Sequence, residues 1–464
     1  MLGRKRAAVP VRSGHAVVLG AGVAGLLTAG VLLDRYERVT IVDRDELDPV
    51  VSSRPRPGVP QGRHAHALLA TGLRVIEDLL PGATAALVAG GAPSGDVLGE
   101  VRFCANGHSL KQARLGLTAL TPSRPYLESY VRSRLAALPR VRMLGGHDVV
   151  GVEASADRAR VTGARIQRRG PGTTPETVPA DLVVDATGRG SRASRWLGEL
   201  GYQPPAEEKL QVDVAYASRH YRMGRDGLDG DLAIIIGPTR DHPRGGVIQL
   251  QEQDRAVVTL FGILGDRPPV DDAGFRAFAG TLPLPFVADA IDGAQPLDQP
   301  VLYRFAGNAR HRYDRLSRFP AGFLVVGDAL CSFNPMYGQG MTVAAVEASV
   351  LREQLARGLD ARRFFRSIRS VIDTPWQVAT GGDLMFPGVQ GPRTAQVKFI
   401  NGYLARLHAA AEHDEVLAAA FIQVTNLVRR PPSLLRPGIA WRVLRGPRPP
   451  ATTAAAEPDK LPQG

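Results

Sequence analysis

Apolar residues fall along this chain in two rhythms. Short unbroken runs, Ala16-Val17-Val18-Leu19, Val39-Thr40-Ile41-Val42, Leu182-Val183-Val184 and Phe323-Leu324-Val325-Val326, have the length and β-branched content of buried strands. After the last run, Val343, Val346 and Val350, with Leu351 and Leu355, recur at helical spacing until Gly358 can cap the end, so a helix is predicted over 342–357. The segments "VDVAYASRHYRM", "GDLAIIIGP", "GGVIQLQ" and "RAVVTLFGIL" alternate instead, and predict strands of an antiparallel sheet. From Arg362 to about Val443 the pattern turns helical, and no internal repeat is seen.

One run sets a trap. No charge interrupts Ala16 to Leu33, a length that suggests a membrane span. Gly20, Gly22, Gly25 and Gly30 divide it into a strand, a tight turn and a helix, so no transmembrane helix is expected. The basic leader 1–13 has no cleavage-site pattern beside it and reads as a flexible tail. The Pro- and Ala-rich end, 446–464, reads as disordered.

Composition changes this picture little. With 464 residues, 44% hydrophobic and 22% charged, the chain has room for two or three cored domains. The formal charge of +12 is mostly arginine and is scattered rather than striped, so no nucleic-acid footprint is read. A positive field still favours acidic partners or anionic lipid. Cys104 and Cys331 provide neither a disulfide framework nor zinc spacing, and a reducing cytoplasm fits them.

Chemistry enters with "VVLGAGVAG", which places Gly20, Gly22 and Gly25 in G-x-G-x-x-G order between a strand and a helix. The first glycine allows the turn, the second the approach of a pyrophosphate, and the third close helix–strand packing. Asp43 ends the next strand at the spacing of about 20 residues expected of a carboxylate that accepts from ribose hydroxyls, which points to FAD or NAD rather than NADP. Ala24 and Arg44 flank these positions and join the candidate set. A dehydrogenase would continue through repeated βα units. This chain instead passes through "RPRPGVPQGRHAHALL" and returns at "DLVVDATGRGSR" and then "GDALCSFNPMYGQGM". His64 and His66 would share one face of a strand, but no third ligand lies near, and no metal is expected.

On "GVPQGRHAH", "SRP" at 123–125, "DATGRGSR", "GDALCSFNPMYGQGM" and "DTPW" at 373–376, the sequence resembles FAD-dependent monooxygenases of the para-hydroxybenzoate hydroxylase fold. Within them it is most similar to actinobacterial polyether epoxidases of the monensin and lasalocid type. The resemblance implies an α/β fold: a Rossmann-like FAD-binding domain formed from 14–75, 120–200 and 300–365, and an antiparallel-sheet substrate domain from 76–119 and 201–299. A C-terminal helical region would cover 366–445. It implies that Asp328, after Gly327, holds a ribityl hydroxyl, and that the loop Pro335 to Met341, with Gly338 and Gly340, brings a helix N-terminus to the flavin pyrimidine edge. Arg124 would reach the phosphate or ribityl region, Arg63 would flank the cofactor, and Gly188 would allow close approach to the flavin.

The same resemblance implies O2-dependent epoxidation or hydroxylation of a lipophilic, polyketide- or terpenoid-like intermediate through a flavin C4a-hydroperoxide, with no catalytic side chain assigned. Electrons would come from NAD(P)H directly or through a separate flavin reductase. Rival readings of the same fold are an aromatic-ring hydroxylase and a prenyl-chain reductase. The halogenase "WxWxIP" signature is absent, since the tryptophans are Trp196, Trp376 and Trp441. The basic end "LVRRPPSLLRPGIAWRVLRGPRP" reads first as a solvated basic tail, with a docking surface for an acidic carrier protein or an anionic membrane as the alternative.

Overall fold

A computed structural model describes residues 14–446, so the expected tails 1–13 and 446–464 lie outside the described residues but for Gly446. The chain opens with β1 (His15–Leu19), turns into α1 (Val23–Leu32) and returns as β2 (Arg38–Val42). A long connection leads to α2 (Ala70–Leu79), α3 (Ala83–Ala89) and the short strands β3 (Ser94–Asp96), β4 (Val101–Ala105), β5 (His108–Ser109) and β6 (Thr118–Leu120). Next come α4 (Arg124–Ala136), β7 (Val141–Leu144), β8 (His147–Ala154), β9 (Val161–Arg168), β10 (Glu176–Pro179), β11 (Leu182–Asp185) and α5 (Ala193–Glu199). The middle of the chain forms β12 (Glu207–Arg222), β13 (Ala233–Ile236), β14 (Arg244–Gln251), β15 (Arg255–Gly262), α6 (Asp272–Ala279), α7 (Phe286–Ile291) and β16 (Val301–His311). The last third holds β17 (Phe323–Val325), β18 (Cys331–Ser332), α8 (Gly340–Ala356), α9 (Ala361–Asp383), α10 (Ala395–Ala411), α11 (Glu415–Thr425) and α12 (Pro437–Arg445).

The four apolar runs become neighbours. β17, β11, β1, β2 and β7 form a sheet in that order, every pair parallel. Both faces are covered, which is why its central strands are unbroken apolar runs rather than alternating ones. The suspected span is resolved here: β1 and α1 divide it, α1 is only ten residues long, and among the described residues no helix is long and apolar enough to cross a membrane. α1 and α8 are buried together in the same core as this sheet, along with Phe364, Phe365, Ile368 and Ile372 of α9. Each fully buried Val, Leu, Ile or Phe contributes roughly 1.5–3 kcal/mol.

The alternating segments form the larger sheet, in the order β18-β16-β12-β15-β14-β13-β4-β5. It is antiparallel except for β13, which runs parallel to β4. The period of two sorts its faces. Ala217, Tyr221, Val258 and Leu260 pack with Phe275 of α6 and Val287 of α7. The alternate positions Tyr216, Ser218 and Thr259 face the segment around His64 and the loop around Asn334. α10, α11 and α12 form a separate cluster with Leu110 and Leu232 beside the edge of this sheet.

Candidate cofactor and active site

Parallel sheets of this type hold ligands outside the carboxyl ends of their strands. Here three adjacent ends carry the three sequence segments: Gly20–Gly22 after β1, Ala186–Gly188 after β11 and Gly327–Asp328 after β17. Glycine geometry documents how tightly they meet. Gly20 has φ +102°, and a Cβ there would lie 2.5 Å from the Ala186 carbonyl oxygen. Gly25 admits no Cβ because the Gly20 carbonyl blocks it. Gly327, at φ +65°, would set a Cβ 2.7 Å from that of Ala24. Added Cβ atoms on Gly188 and Gly340 would lie 4.0 Å from Asp328 Cβ and 3.9 Å from its Oδ1. Thus Gly20, Ala24, Gly25, Gly188, Gly327, Asp328 and Gly340 lie side by side where the three strand ends meet.

Gly22 differs from its neighbours. Its φ of −76° is open to any residue, and a Cβ would meet nothing closer than Glu128 Oε1 at 3.9 Å and Arg124 Nη2 at 4.0 Å. No packing or backbone reason within the protein requires glycine there. Gly22 is the N-cap of α1, no side chain caps that end, and no acidic residue stands in its first turn, so its N–H groups are available to an anion.

Arginines surround this opening. Arg54, Arg56, Arg124 and Arg132 line a small cavity with Glu128, and Asp43 and Asp45 pair with Arg56 beside it. Arg124 is placed by the cap of α4, where Ser123 Oγ accepts from Tyr126 N–H and donates to Glu252. Its Nε donates to Glu128 at 2.9 Å, and its Nη1 lies 3.2 Å from His66 Nε2. Arginine only donates, so His66 accepts there and its Nδ1–H points to the His64 carbonyl. Burial beside Arg124 pushes the His66 pKa down to about 3, consistent with a neutral ring. Arg56 reaches Asp43, Asp45, Glu128 and the Ala21 carbonyl, and its buried Nε has no partner. Asp43 accepts from Ala21 N–H at 2.6 Å, from Asp45 N–H and from Arg56, which leaves one of a carboxylate's roughly four acceptor sites free.

The second half of the site is held from afar. Asn334 begins the 3-10 turn Pro335–Tyr337, and its Oδ1 accepts from Met336 N–H and from the Tyr216 hydroxyl at 2.6 Å. Asn334 Nδ2, Asn308 Nδ2 and the Tyr337 hydroxyl all donate to Asp383, at 2.9, 2.6 and 3.0 Å. Asp383 is the last residue of α9 and is fully buried, and burial pushes its pKa up to about 6. Gly338 packs against Ala67, and Met341 is buried in the first turn of α8. That helix also starts without a side-chain cap. Beneath it, Glu347 Oε2 accepts from Gly327 N–H at 2.7 Å, while its Oε1 is buried and unpartnered. Burial pushes Glu347 up to about 7, and Asp328 is also raised by burial, against the pull of Arg124 and Arg189.

A row of polar side chains joins this floor to the larger sheet. Arg189 Nη1 donates to the Tyr303 hydroxyl at 2.5 Å, and the Tyr303 ring lies 5.3 Å from that of His64. His64 Nδ1 meets Ser218 Oγ at 2.7 Å, which meets Thr259 Oγ1 at 2.6 Å. Burial lowers the His64 pKa to about 4. His64 and His66 therefore sit in a loop with separate partners rather than on one strand face, and among the described residues no group of metal-ligating side chains gathers anywhere.

Of the expected residues, Arg44 and Arg63 are exposed and make no side-chain hydrogen bond to the other members. Arg56, Glu128, Glu347 and Asp383 escaped the sequence reading. Asp383 carried a signal, because it falls on the buried stripe Ile372, Pro375, Ala379 of an amphipathic helix, where a carboxylate must find partners.

Comparison with known proteins follows this geometry. No family model matches the chain. It is 35% identical over 438 residues to Protein Rv3254 of Mycobacterium tuberculosis (strain ATCC 25618 / H37Rv), covering 89% of this chain and 90% of the relative. Among solved structures, the flavin-dependent brominase Bmp2 matches with a TM-score of 0.65 at 15% identity, over 89% of this chain and 94% of Bmp2. PqsL, a probable FAD-dependent monooxygenase from Pseudomonas aeruginosa, matches at 0.57 and 16%, over 88% and 100%. The flavin-dependent halogenase CmlS matches at 0.61 and 16%, over 90% and 77%. These likenesses establish the fold as that of flavin-dependent monooxygenases and halogenases.

Proposed function

This chain belongs to the family of Protein Rv3254 and has the fold of flavin-dependent monooxygenases and halogenases; from that premise we propose that it is an FAD-dependent monooxygenase. The finer reading is epoxidation or hydroxylation of a lipophilic natural-product intermediate.

The open space over Gly22 carries this reading. A glycine that the protein's own packing does not need, at an uncapped helix N-terminus with Arg124 and Arg56 beside it, fits a pyrophosphate. The free Arg56 Nε–H and the Arg124 guanidinium would donate to it, and the remaining acceptor site of Asp43 would take a ribose hydroxyl. Asp328 would hold the ribityl chain between Gly188 and Gly340. The uncapped start of α8 favours negative charge on a ring edge placed there.

FAD, reduced by an external two-electron donor, would supply the activation of O2, one atom of which goes to the substrate while the other leaves as water. The protein's part is to orient and to exclude water. Tyr216, Phe261 and Phe305 belong to one buried apolar cluster on the sheet, and Tyr303 packs against it, so this side of the sheet would offer an apolar substrate an apolar backing. His64, held neutral by burial, adds a polar group there without adding charge.

The test has two stages. FAD titration of purified protein should give a bound-flavin spectrum, and turnover of a candidate alkene under labelled O2 should place one labelled atom in an epoxide. Labelled phenol would move the substrate class to aromatic rings. A product that gains two hydrogens without O2 would replace the reading with the prenyl-chain reductase, and halide incorporation would replace it with a halogenase.

A further inference from the structure

Among the described residues, the C-terminal helices present an apolar surface that no other element covers. α12 turns Ile439 and Val443 into the cluster formed with α10 and α11. Its opposite face shows Pro437, Trp441 and Leu444 at i, i+4 and i+7, with Trp441 59% and Leu444 72% exposed. Leu435, in the turn just before, is 51% exposed. α10 adds Phe399, 61% exposed, whose ring stacks on Tyr403; the Tyr403 hydroxyl donates to the Leu434 carbonyl, which ties this ring to the same turn.

Cations frame these side chains. Arg429, Arg430 and Arg436 line an open pocket together with Pro432 and Ser433, whose buried hydroxyl has no partner. Arg445 stacks its guanidinium 5.1 Å from the Trp441 ring centroid. Among the described residues, Arg442 is paired with Asp414, whereas Arg429, Arg430, Arg436 and Arg445 have no carboxylate partner.

We propose that this face, formed by α12, 429–436 and the start of α10, docks the protein on an anionic membrane surface. Trp441, Leu444 and Leu435 would enter the boundary between headgroups and acyl chains, while Arg429, Arg430 and Arg436 bind headgroup phosphates, the Ser433 hydroxyl donating to one of them. Apolar side chains and a tryptophan flanked by arginines that no carboxylate among the described residues pairs match the chemistry of an anionic lipid interface. Such docking is independent of the flavin reading. It places the enzyme where lipophilic molecules partition.

The test is co-sedimentation of the full chain with phosphatidylcholine vesicles, with and without phosphatidylglycerol, at low and high salt. Binding is expected only with phosphatidylglycerol, weakening as salt rises, with a blue shift of tryptophan emission from the exposed Trp441 rather than from the buried Trp196 or from Trp376, which packs against the core. Replacing Arg429, Arg430 and Arg436 by Gln should weaken binding on the order of 100-fold. Trp441→Ser with Leu444→Ser should weaken it at least about 10-fold. Trp441→Phe should keep binding and lose the shift. Unchanged FAD affinity and melting temperature in each variant confirm that the fold survives. Equal binding to vesicles without phosphatidylglycerol overturns the proposal, as does binding insensitive to the Gln substitutions. A dimer that Trp441→Ser dissociates, an acidic protein bound in place of vesicles, or vesicle binding seen only after removal of 447–464 would each assign the face to another occupant and overturn it as well.

Discussion

The two helix N-termini at the candidate cofactor site solve one physical problem in opposite ways. Both offer uncapped N–H groups to negative charge. At α1 the means are local and consist of absence: Gly20, Gly22 and Gly25 lie within six residues, and what matters is the side chains they lack. At α8 the means are distant and consist of presence. Asn308 on β16, Tyr216 on β12 and Asp383 at the end of α9 hold the turn at Asn334 through buried hydrogen bonds. A local device tolerates little substitution and leaves a motif in the sequence. A distributed one spreads its cost over several elements and leaves almost none.

The sharpest way to break this comparison is at Gly22. Gly22→Val is expected to fold, because the space for its side chain is open, and to lose FAD affinity by on the order of 1,000-fold, since the valine would fill the proposed phosphate position. Gly25→Val should fail differently, by unfolding, because any Cβ there meets the Gly20 carbonyl. Flavin fluorescence titration and thermal melts on the two proteins separate a ligand's glycine from a packing glycine. Retained FAD affinity in folded Gly22→Val would refute the nucleotide site.

Asp383→Ala tests the distributed device. It leaves the donors of Asn308, Asn334 and Tyr337 buried without their acceptor, at about 1–3 kcal/mol for each one not rescued by water. An expected loss of about 3 kcal/mol in urea unfolding should come with weaker FAD binding, because the turn at Asn334 loosens. Asp383→Asn keeps one acceptor oxygen and should cost less. A stability loss with no change in FAD affinity would separate this network from the site.

How far each device was legible follows from its range. The strand runs, the G-x-G-x-x-G turn, Asp43 and the Asp328 segment are short and self-contained, and each was readable because its physical reason lies within a few residues. The alternating segments gave four strands of the larger sheet. They did not give β5 or β18, which at two residues each are too short to show a period, nor β4, the eleven-residue β16 or the parallel pairing of β13 with β4. Arg56 and Glu128 stand 72 residues apart in the chain, and nothing local in "RPRPGVP" distinguishes Arg56 from Arg54. Only the fold decides which guanidinium turns inward.

Glu347→Gln probes the buried carboxyl that supports Gly327. Its pKa is raised from 4.5 to about 7, so the folded state binds a proton that the unfolded chain has released between those values. Its contribution is complete below about pH 4.5 and is lost as pH rises through about 7. Relative to wild type, the Gln variant should therefore gain stability by about 1.4 kcal/mol per pH unit across that window, to a total of roughly 3 kcal/mol. The amide oxygen still accepts from Gly327 N–H, so the geometry of the Asp328 turn should persist. Urea unfolding of both proteins from pH 4.5 to 7.5 measures the drift, and parallel curves would show that Glu347 ionises at its ordinary value.

The smallest effect is expected at Asp328, where the local and distributed devices meet. Its carboxylate lies between Gly188 and Gly340, near Arg124 and Arg189, and burial already raises its pKa. Asp328→Ala removes one hydrogen-bond acceptor among several anchors, so FAD affinity should fall by about 10-fold, worth about 1.4 kcal/mol. Asp328→Asn should recover part of that loss if the role is to accept a hydrogen bond, and none if the negative charge is needed to balance the two arginines. Salt dependence distinguishes the cases, because a charge-balancing role would make the Ala variant's affinity vary with ionic strength in a way the wild type's does not. A loss as large as that of Gly22→Val would mean that the ribityl anchor, rather than the phosphate opening over Gly22, governs cofactor binding, and would reverse the ranking of the two helix ends.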